Sequence, residues 1–241
     1  DVRVRQAVAY AIDRQFVIDN VWFGFGKPAT GPISSNFKAN GLYTDQVKNY
    51  NVKNGVEMAN KLLDEAGKKR GADGVRFEIV HDVTPYGEEW RRFGEYVQQQ
   101  LAKIGIKATL RYEDVPAWLR RVYTNYDFDL TNNWIQTLAD PSIGMHRLYH
   151  SNTIKAGTVF VNNSRWTTKE TDELMNKANV ETDPKKRAAL YHDLQKRIVD
   201  ASPLVFVHEL NFVTVYNKRV NNFPVSPLGL YSAMDTVWLA K

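Results

Sequence analysis

A chain of 241 residues that is 43% hydrophobic and 24% charged can bury the core of one large domain or two small ones, and its composition is not that of a disordered or fibrous protein. The absence of cysteine excludes disulfides and thiolate metal sites without fixing a compartment. A formal net charge of +5 permits an anionic partner. Yet the basic residues alternate with acids, as in Glu88-Glu89 with Arg91-Arg92, and the longest basic cluster, Lys68-Lys69-Arg70, sits in a turn between Gly67 and Gly71; this is a solvated surface and not a nucleic-acid patch.

The opening segment places Val4, Val8, Ile12 and Phe16 at four-residue steps with Ala7 and Ala11 beside them. That spacing predicts one continuous helix with a single apolar face, leading into a Gly/Pro-rich loop over residues 24–33. Residues 36–54 are polar and turn-rich, a loop on the surface or along a cleft. A short helix is expected over 56–66, stopped by Gly67, and the alternation over 75–80 predicts a strand. Trp90, Phe93, Val97, Leu101 and Ile104 then define the clearest helix, ended by Gly105 at the position that needs a positive φ. Residues 106–112 form a second expected strand. A strand, helix and strand in this span predict a parallel pair joined by a crossover.

Pro116 opens a short helix through Leu119 and Val122, and residues 128–134 read as a third strand. Asp140-Pro141 and Asp183-Pro184 are helix starts, with Asp as cap and Pro at the first helical position; the second helix carries Ala189, Leu190, Leu194 and Ile198. Thr167 and Glu170 have the spacing of a capping box leading to Leu174 and Ala178. A buried strand is expected over 203–207 and an alternating strand over 212–216, after which Pro224 and Pro227 interrupt any periodicity. The fold class is α/β, a mixed sheet flanked by helices, with residues 1–209 as one domain and 210–241 as a C-terminal segment. No stretch approaches 18 uninterrupted apolar residues, so no spanning helix is expected. The sequence lacks an initiating Met and a basic segment followed by an apolar run, and any export signal is expected to lie outside it.

Catalysis has no convincing residues. His146 and His150 share a helical spacing, but zinc needs a third ligand and Arg147 stands where the usual Glu would be, so a surface or cleft-lining pair is favoured. There is no G-x-S-x-G elbow, and Gly24-Phe25-Gly26 lacks the third glycine of a dinucleotide loop. No metal or other cofactor is called for. An α/β enzyme domain and a basic nucleic-acid-binding domain are the alternative classes, and neither has a motif behind it. Binding has a better candidate. Asn132, Asn133, Trp134, Gln136, Thr137 and Asp140 run from a strand end to a helix start, offering an aromatic wall, amide groups and a partly positive helix end. Trp134 fits either core or cleft, and Asp140 is first of all a cap.

Three sets of residues carry a family resemblance. Residues 5–14 read R-x-A-x-x-x-A-I-D-R and residues 24–33 read G-x-x-x-P-A-x-G-P-I. The order strand, long helix, L-x-K-I-G-I-K strand at 101–107, short helix and Y-D-F-D-L strand at 126–130 follows. The chain resembles the extracellular solute-binding proteins of family 5, the peptide, dipeptide and nickel carriers of bacterial ABC importers. The resemblance implies the second lobe of a clamshell, with 210–241 returning toward a first lobe that is absent here. It also implies a small peptide-like or other polar solute, a membrane permease as partner, and a periplasmic or lipid-anchored location outside the cytoplasmic membrane.

The resemblance tips Trp134 toward the cleft and places Phe23, Phe25, Tyr86, Trp22 and Trp118 near it. The peptide carriers hold the ligand's ammonium group with an Asp three residues after the Trp, where this chain has Thr137. Dipeptide carriers hold the carboxylate with an Arg whose ungapped match is Thr84. Asp82 and His81 are the candidate replacements for these two charges.

Overall fold

The structure is a computed structural model that describes residues 1–226 and 231–241, so Pro227 lies outside the described residues. Two compact units are present, Asp1–Glu209 and Leu210–Lys241.

The expected first helix is two helices. α1 spans Val2–Ala11 and α2 spans Arg14–Asn20. Ile12 and Asp13 are extended, and the Asp13 carboxylate accepts the amide of Phe16 at 3.0 Å. An Asp able to cap competes with helix continuation, and the break resets the helical phase. The buried face is consequently Ala7, Tyr10, Ala11, Val17 and Ile18, while Phe16 is exposed and stacks on Tyr96. Buried Arg14 covers the break by donating to the carbonyls of Ala9, Ile12 and Phe206.

A short strand, β1 (Gly26–Pro28), follows, then α3 (Gly55–Glu65). β2 (Phe77–Asp82) begins two residues later than expected. α4 (Glu88–Lys103) buries Trp90, Phe93, Val97 and Leu101, and Gly105 at φ +80° turns the chain into β3 (Ile106–Arg111). β2 and β3 are parallel, in register from Phe77 opposite Ile106 to Asp82 opposite Arg111. α5 (Val115–Leu119) widens into a π-helical turn over Arg120–Asn125. β4 is shorter than expected, Leu130–Thr131, and lies parallel to β2 on its other edge, giving the order β3-β2-β4. The three predicted strands thus share one sheet.

α6 (Pro141–Gly144), α7 (Lys169–Val180) and α8 (Pro184–Ala201) complete the larger unit. The α7 capping box uses Thr168 and Thr171, one residue later than expected, because the Thr167 hydroxyl is bound to Asp172. Met175 and Ala178 of α7 and Tyr191, Leu194 and Ile198 of α8 close over Met145 and Tyr149 in a second core. On α8, Ala189 is exposed and Leu190 half-buried.

Two strand expectations fail. Residues 203–207 form no strand; the carbonyls of Phe206 and Val207 accept from Arg14 and Ala29 instead of a ladder. The strand is β5 (His208–Leu210), which pairs with β1. Among the described residues no ladder pairs 212–216, and Phe212, Val213, Val215 and Tyr216 are exposed. Alternation alone makes no strand without a partner edge. β6 (Val220–Asn221) pairs antiparallel with β7 (Trp238–Leu239). The α/β class holds, with parallel and antiparallel pairing in separate small sheets.

Leu101 is fully buried under the sheet, so Leu101→Ala is expected to cost about 2–5 kcal/mol in urea unfolding; a loss below about 1 would place this face of α4 in solvent. A second expectation concerns pH. Loss of hydration pulls His81, His146 and His208 down to about 4 from 6.5. Between those values the unfolded chain binds protons that the folded chain does not, so stability falls as pH drops from about 6.5 to about 4. Each histidine contributes up to about 1.4 kcal/mol per pH unit. Both ring nitrogens of His146 lack a hydrogen-bond partner; His146→Leu should therefore flatten the profile without loss of stability at pH 7. Melts that are flat from pH 7 to 5 in the unaltered protein would contradict the assignment.

Candidate functional site

The carboxyl ends of β2 and β4 point the same way, and the loops leaving such ends form the crevices of α/β sheets. His81 on β2 is buried, with Nε2 3.3 Å from Asn132 Oδ1. That oxygen also accepts the amide of Thr84 at 3.0 Å, and the Thr84 hydroxyl donates to the Asn132 carbonyl. An acceptor fixed in this way requires the proton on Nε2, so Nδ1 of the neutral ring is an acceptor. Nδ1 and the Asn132 Nδ2 amide are buried without a protein partner. Thr84 and Asn132 are thus part of a strand-tip network and not open contacts. His81, neutral and buried, is no cationic partner for a carboxylate.

Asp82 is not available to an ammonium group either. It is 1% exposed and bound in two places by Arg111, its register partner on β3, with Nε to Oδ1 and Nη2 to Oδ2 both at 2.7 Å. Arg121 approaches the same carboxylate at 3.8 Å and pairs with Glu113 at 2.7 Å and with Asp127. Asp140 is likewise occupied. It caps Ser142 at 2.8 Å and accepts both arms of Arg187 at 2.9 and 2.8 Å. Burial pushes this carboxyl upward, but the bonds from Arg187 and Ser142 outweigh it and hold it at about 2. α6 has four residues, and its first amides are turned to Asp140, so the expected positive helix end is not an anion site.

Trp134 leaves the end of β4 with 37% of its surface exposed, its backbone amide donating to Asn133 Oδ1. The Asn133 amide group donates to the Tyr123 hydroxyl at 3.1 Å, from the π-helical turn. Gln136 and Thr137 are half-buried further along the loop. Half-buried Tyr86 packs edge-on against Trp90 and Trp118, and Trp118 against Tyr123. Trp22 joins the same ladder through Trp90. Trp22 and Trp118 are buried, so both are scaffold and not cleft wall. Phe23 and Phe25 stand in solvent beyond Trp22, Phe23 at a φ of +52° that a bulky residue rarely adopts.

The ladder is what relates the Phe23 and Trp134 loops. Sequence reasoning missed Tyr123, Arg111 and Arg187; only Arg111 had a signal, as the residue that parallel register sets opposite Asp82. His146 and His150 form no pair: His146 is buried on Tyr191, and His150 is held by Asn152 and Asn176. Among the described residues no three His, Cys, Asp or Glu side chains are placed to hold a metal.

The larger unit matches known proteins throughout. Residues 1–156 match the family model of bacterial extracellular solute-binding proteins, family 5 Middle. The dipeptide-binding protein of Escherichia coli K12 is 29% identical over 230 residues, covering 95% of this chain and 41% of that one. HbpA2 from Haemophilus parasuis superposes with a TM-score of 0.79 at 30% identity, over 100% of this chain and 45% of its own. The oligopeptide-binding protein AppA of Bacillus subtilis, solved with a nonapeptide, gives 0.80 at 26%, over 100% and 48%. The chain spans less than half the length of each of these relatives. Their family binds solutes and is not one of enzymes, and this chain belongs to it: the extracellular solute-binding proteins, family 5.

Proposed function

We propose that this chain supplies one wall of a solute cleft in a binding protein that works outside the cytoplasmic membrane, periplasmic or lipid-anchored, and delivers its solute to an ABC permease. Residues 1–209 act as the second lobe and 210–241 as the segment returning to the first. Trp134, Gln136, Thr137 and Asn133 form the wall with Tyr86, and Phe23 and Phe25 extend it along the aromatic ladder. The solute is peptide-like or another small polar molecule, in keeping with relatives named for a dipeptide or solved with a nonapeptide.

One observation carries the reading: Trp134 stands half in solvent at the carboxyl end of a parallel strand, while each nearby carboxylate, Asp82 and Asp140, already has its arginine. A wall built this way offers stacking surface and amide hydrogen bonds and no spare carboxylate, while the one guanidinium against it, Arg147, bonds only to backbone carbonyls. A ligand ammonium group would lose its hydration without an ionic partner. Thr137, where peptide carriers place an Asp, likewise offers no carboxylate.

Calorimetry with trialanine and N-acetyl-trialanine on the full-length protein tests this. Trp134→Ala should weaken binding at least about tenfold, or 1.4 kcal/mol, and Thr137→Asp should shift preference toward the free amine. Unaltered protein that already prefers the free amine tenfold would overturn the wall without a spare carboxylate, and binding of neither peptide would overturn the peptide-like solute.

A further inference from the structure

We infer that Arg187 is a positioning residue for the loop over 132–140: acting through Asp140, it holds the backbone that carries Trp134, Gln136 and Thr137, while touching no solute itself. The significance for binding rests on the reading of that loop as a solute wall; the positioning does not.

The loop needs an external hold. Leu138 sits at a φ of +61°, in the left-handed region, with its side chain partly exposed, and such backbone persists only where its surroundings enforce it. The loop lies against α6, and the approach is so close that a Cβ at Gly144 would overlap the carbonyl oxygens of Gln136 and Thr137. Arg147 reinforces this contact, donating to the Gly144 carbonyl at 3.1 Å and to the Gln136 carbonyl at 3.4 Å. α6 is therefore the surface on which the loop is shaped. A helix of four residues cannot hold itself, since nucleation alone exceeds what so few bonds return.

The anchor of α6 is Asp140. Its Oδ1 accepts the Ser142 amide and Arg187 Nη2, and its Oδ2 accepts Arg187 Nη1. Arg187 lies 47 residues away in sequence, in the first turns of α8. It is itself fixed from three further sides: Nε donates to the Ala178 carbonyl at the end of α7 at 3.0 Å, Nη2 lies 3.3 Å from the Tyr191 hydroxyl, and the guanidinium stands 5.1 Å over the Tyr191 ring. Tyr191 is fully buried in the second core. The planar fork thus links a rigid core to the loop through one carboxylate, and an ammonium could not reproduce the paired geometry.

Asp140→Asn separates the two duties of Asp140, because Asn caps a helix as well as Asp but cannot form the ion pair. Amide hydrogen exchange followed by mass spectrometry on the full chain is the main measurement. Asp140→Asn and Arg187→Met should each speed exchange across 142–145, whose amides are bonded to Asp140 and Pro141, at least tenfold, with α4 unchanged. The double variant should be no faster than either single, since both cut one link. Arg187→Lys, keeping charge without the fork, should restore part of the protection. Trp134 emission, isolated by subtracting a Trp134→Phe background, should become more accessible to iodide in both single variants. Exchange across 142–145 as slow in Asp140→Asn as in the unaltered chain, or Trp134 no more open to iodide, would overturn the inference, as would protection lost equally from α4. Trialanine affinity unaffected by Trp134→Ala would instead remove the binding reading and leave the exchange result to decide the positioning.

Discussion

One buried carboxylate sets the arrangement of the strand tips. Asp82 ends the central strand, and parallel register puts Arg111 of β3 on one side of it and Thr131 of β4 on the other. A carboxylate taken this far from water must be met by good geometry on several sides, and each requirement fixes a neighbour. The fork of Arg111 locks β3 to β2. The Thr131 hydroxyl donates to the Asp82 carbonyl and accepts the Trp118 indole N–H, which draws the α5 turn onto β4. Arg121, Glu113 and Asp127 complete the charge balance around the rim. Such a network is weak evidence of stability, since an apolar replacement is often as stable. Its effect is on register: a slip of β3 by one residue would set Leu110 or Tyr112 opposite Asp82 and lose the Arg111 fork.

That balance has a consequence for the wall beside it. Because the charges at the strand tips are consumed internally, the polar groups left over are neutral ones, the His81 Nδ1 acceptor and the Asn132 Nδ2 donor. They are opposite in hydrogen-bonding sense, one on β2 and the other just past the end of β4. Both are sealed from solvent, so they shape the tip without contributing net charge to it. The paired carboxylate and the aromatic surface then follow from the same fold element.

The features legible in the sequence were those whose physics is local. α4 could be read from its apolar spacing and from Gly105, since both act within one or two turns. The Asp-Pro starts of α6 and α8 were readable for the same reason, and the parallel pairing followed from the length of the connection. The misses share a different cause. Asp13 could cap or continue a helix, and buried Arg14, serving carbonyls near and far, goes with the break. Residues 203–207 and 212–216 have strand-like patterns, but a strand is a property of two segments. Asp82 looked free because Arg111 is 29 residues away, and Asp140 looked like a simple cap because Arg187 is farther still.

The aromatic ladder shows how a site of separate loops can keep one geometry. Trp22, Trp90, Tyr86, Trp118 and Tyr123 meet edge to face at centroid distances of 5.5, 6.2, 5.7 and 5.9 Å. Each such contact is worth about 0.5–1.5 kcal/mol beyond burial and prefers a defined angle. Rotation of one ring therefore disturbs its neighbours on both sides. The ladder rests on α4 through Trp90 and on α5 through Trp118, helices that the sheet already fixes. Exposed Phe23 follows Trp22 in the chain; Tyr123, which also packs edge-on against Phe160, accepts from Asn133 and so holds the backbone of Trp134. Two loops far apart in sequence, one strained at Phe23 and the other at Leu138, are thereby referred to a single rigid base. The buried rings position those that reach solvent, Tyr86 within the ladder and Phe23 beside Trp22 in the chain, which is the preorganisation that the proposed wall requires.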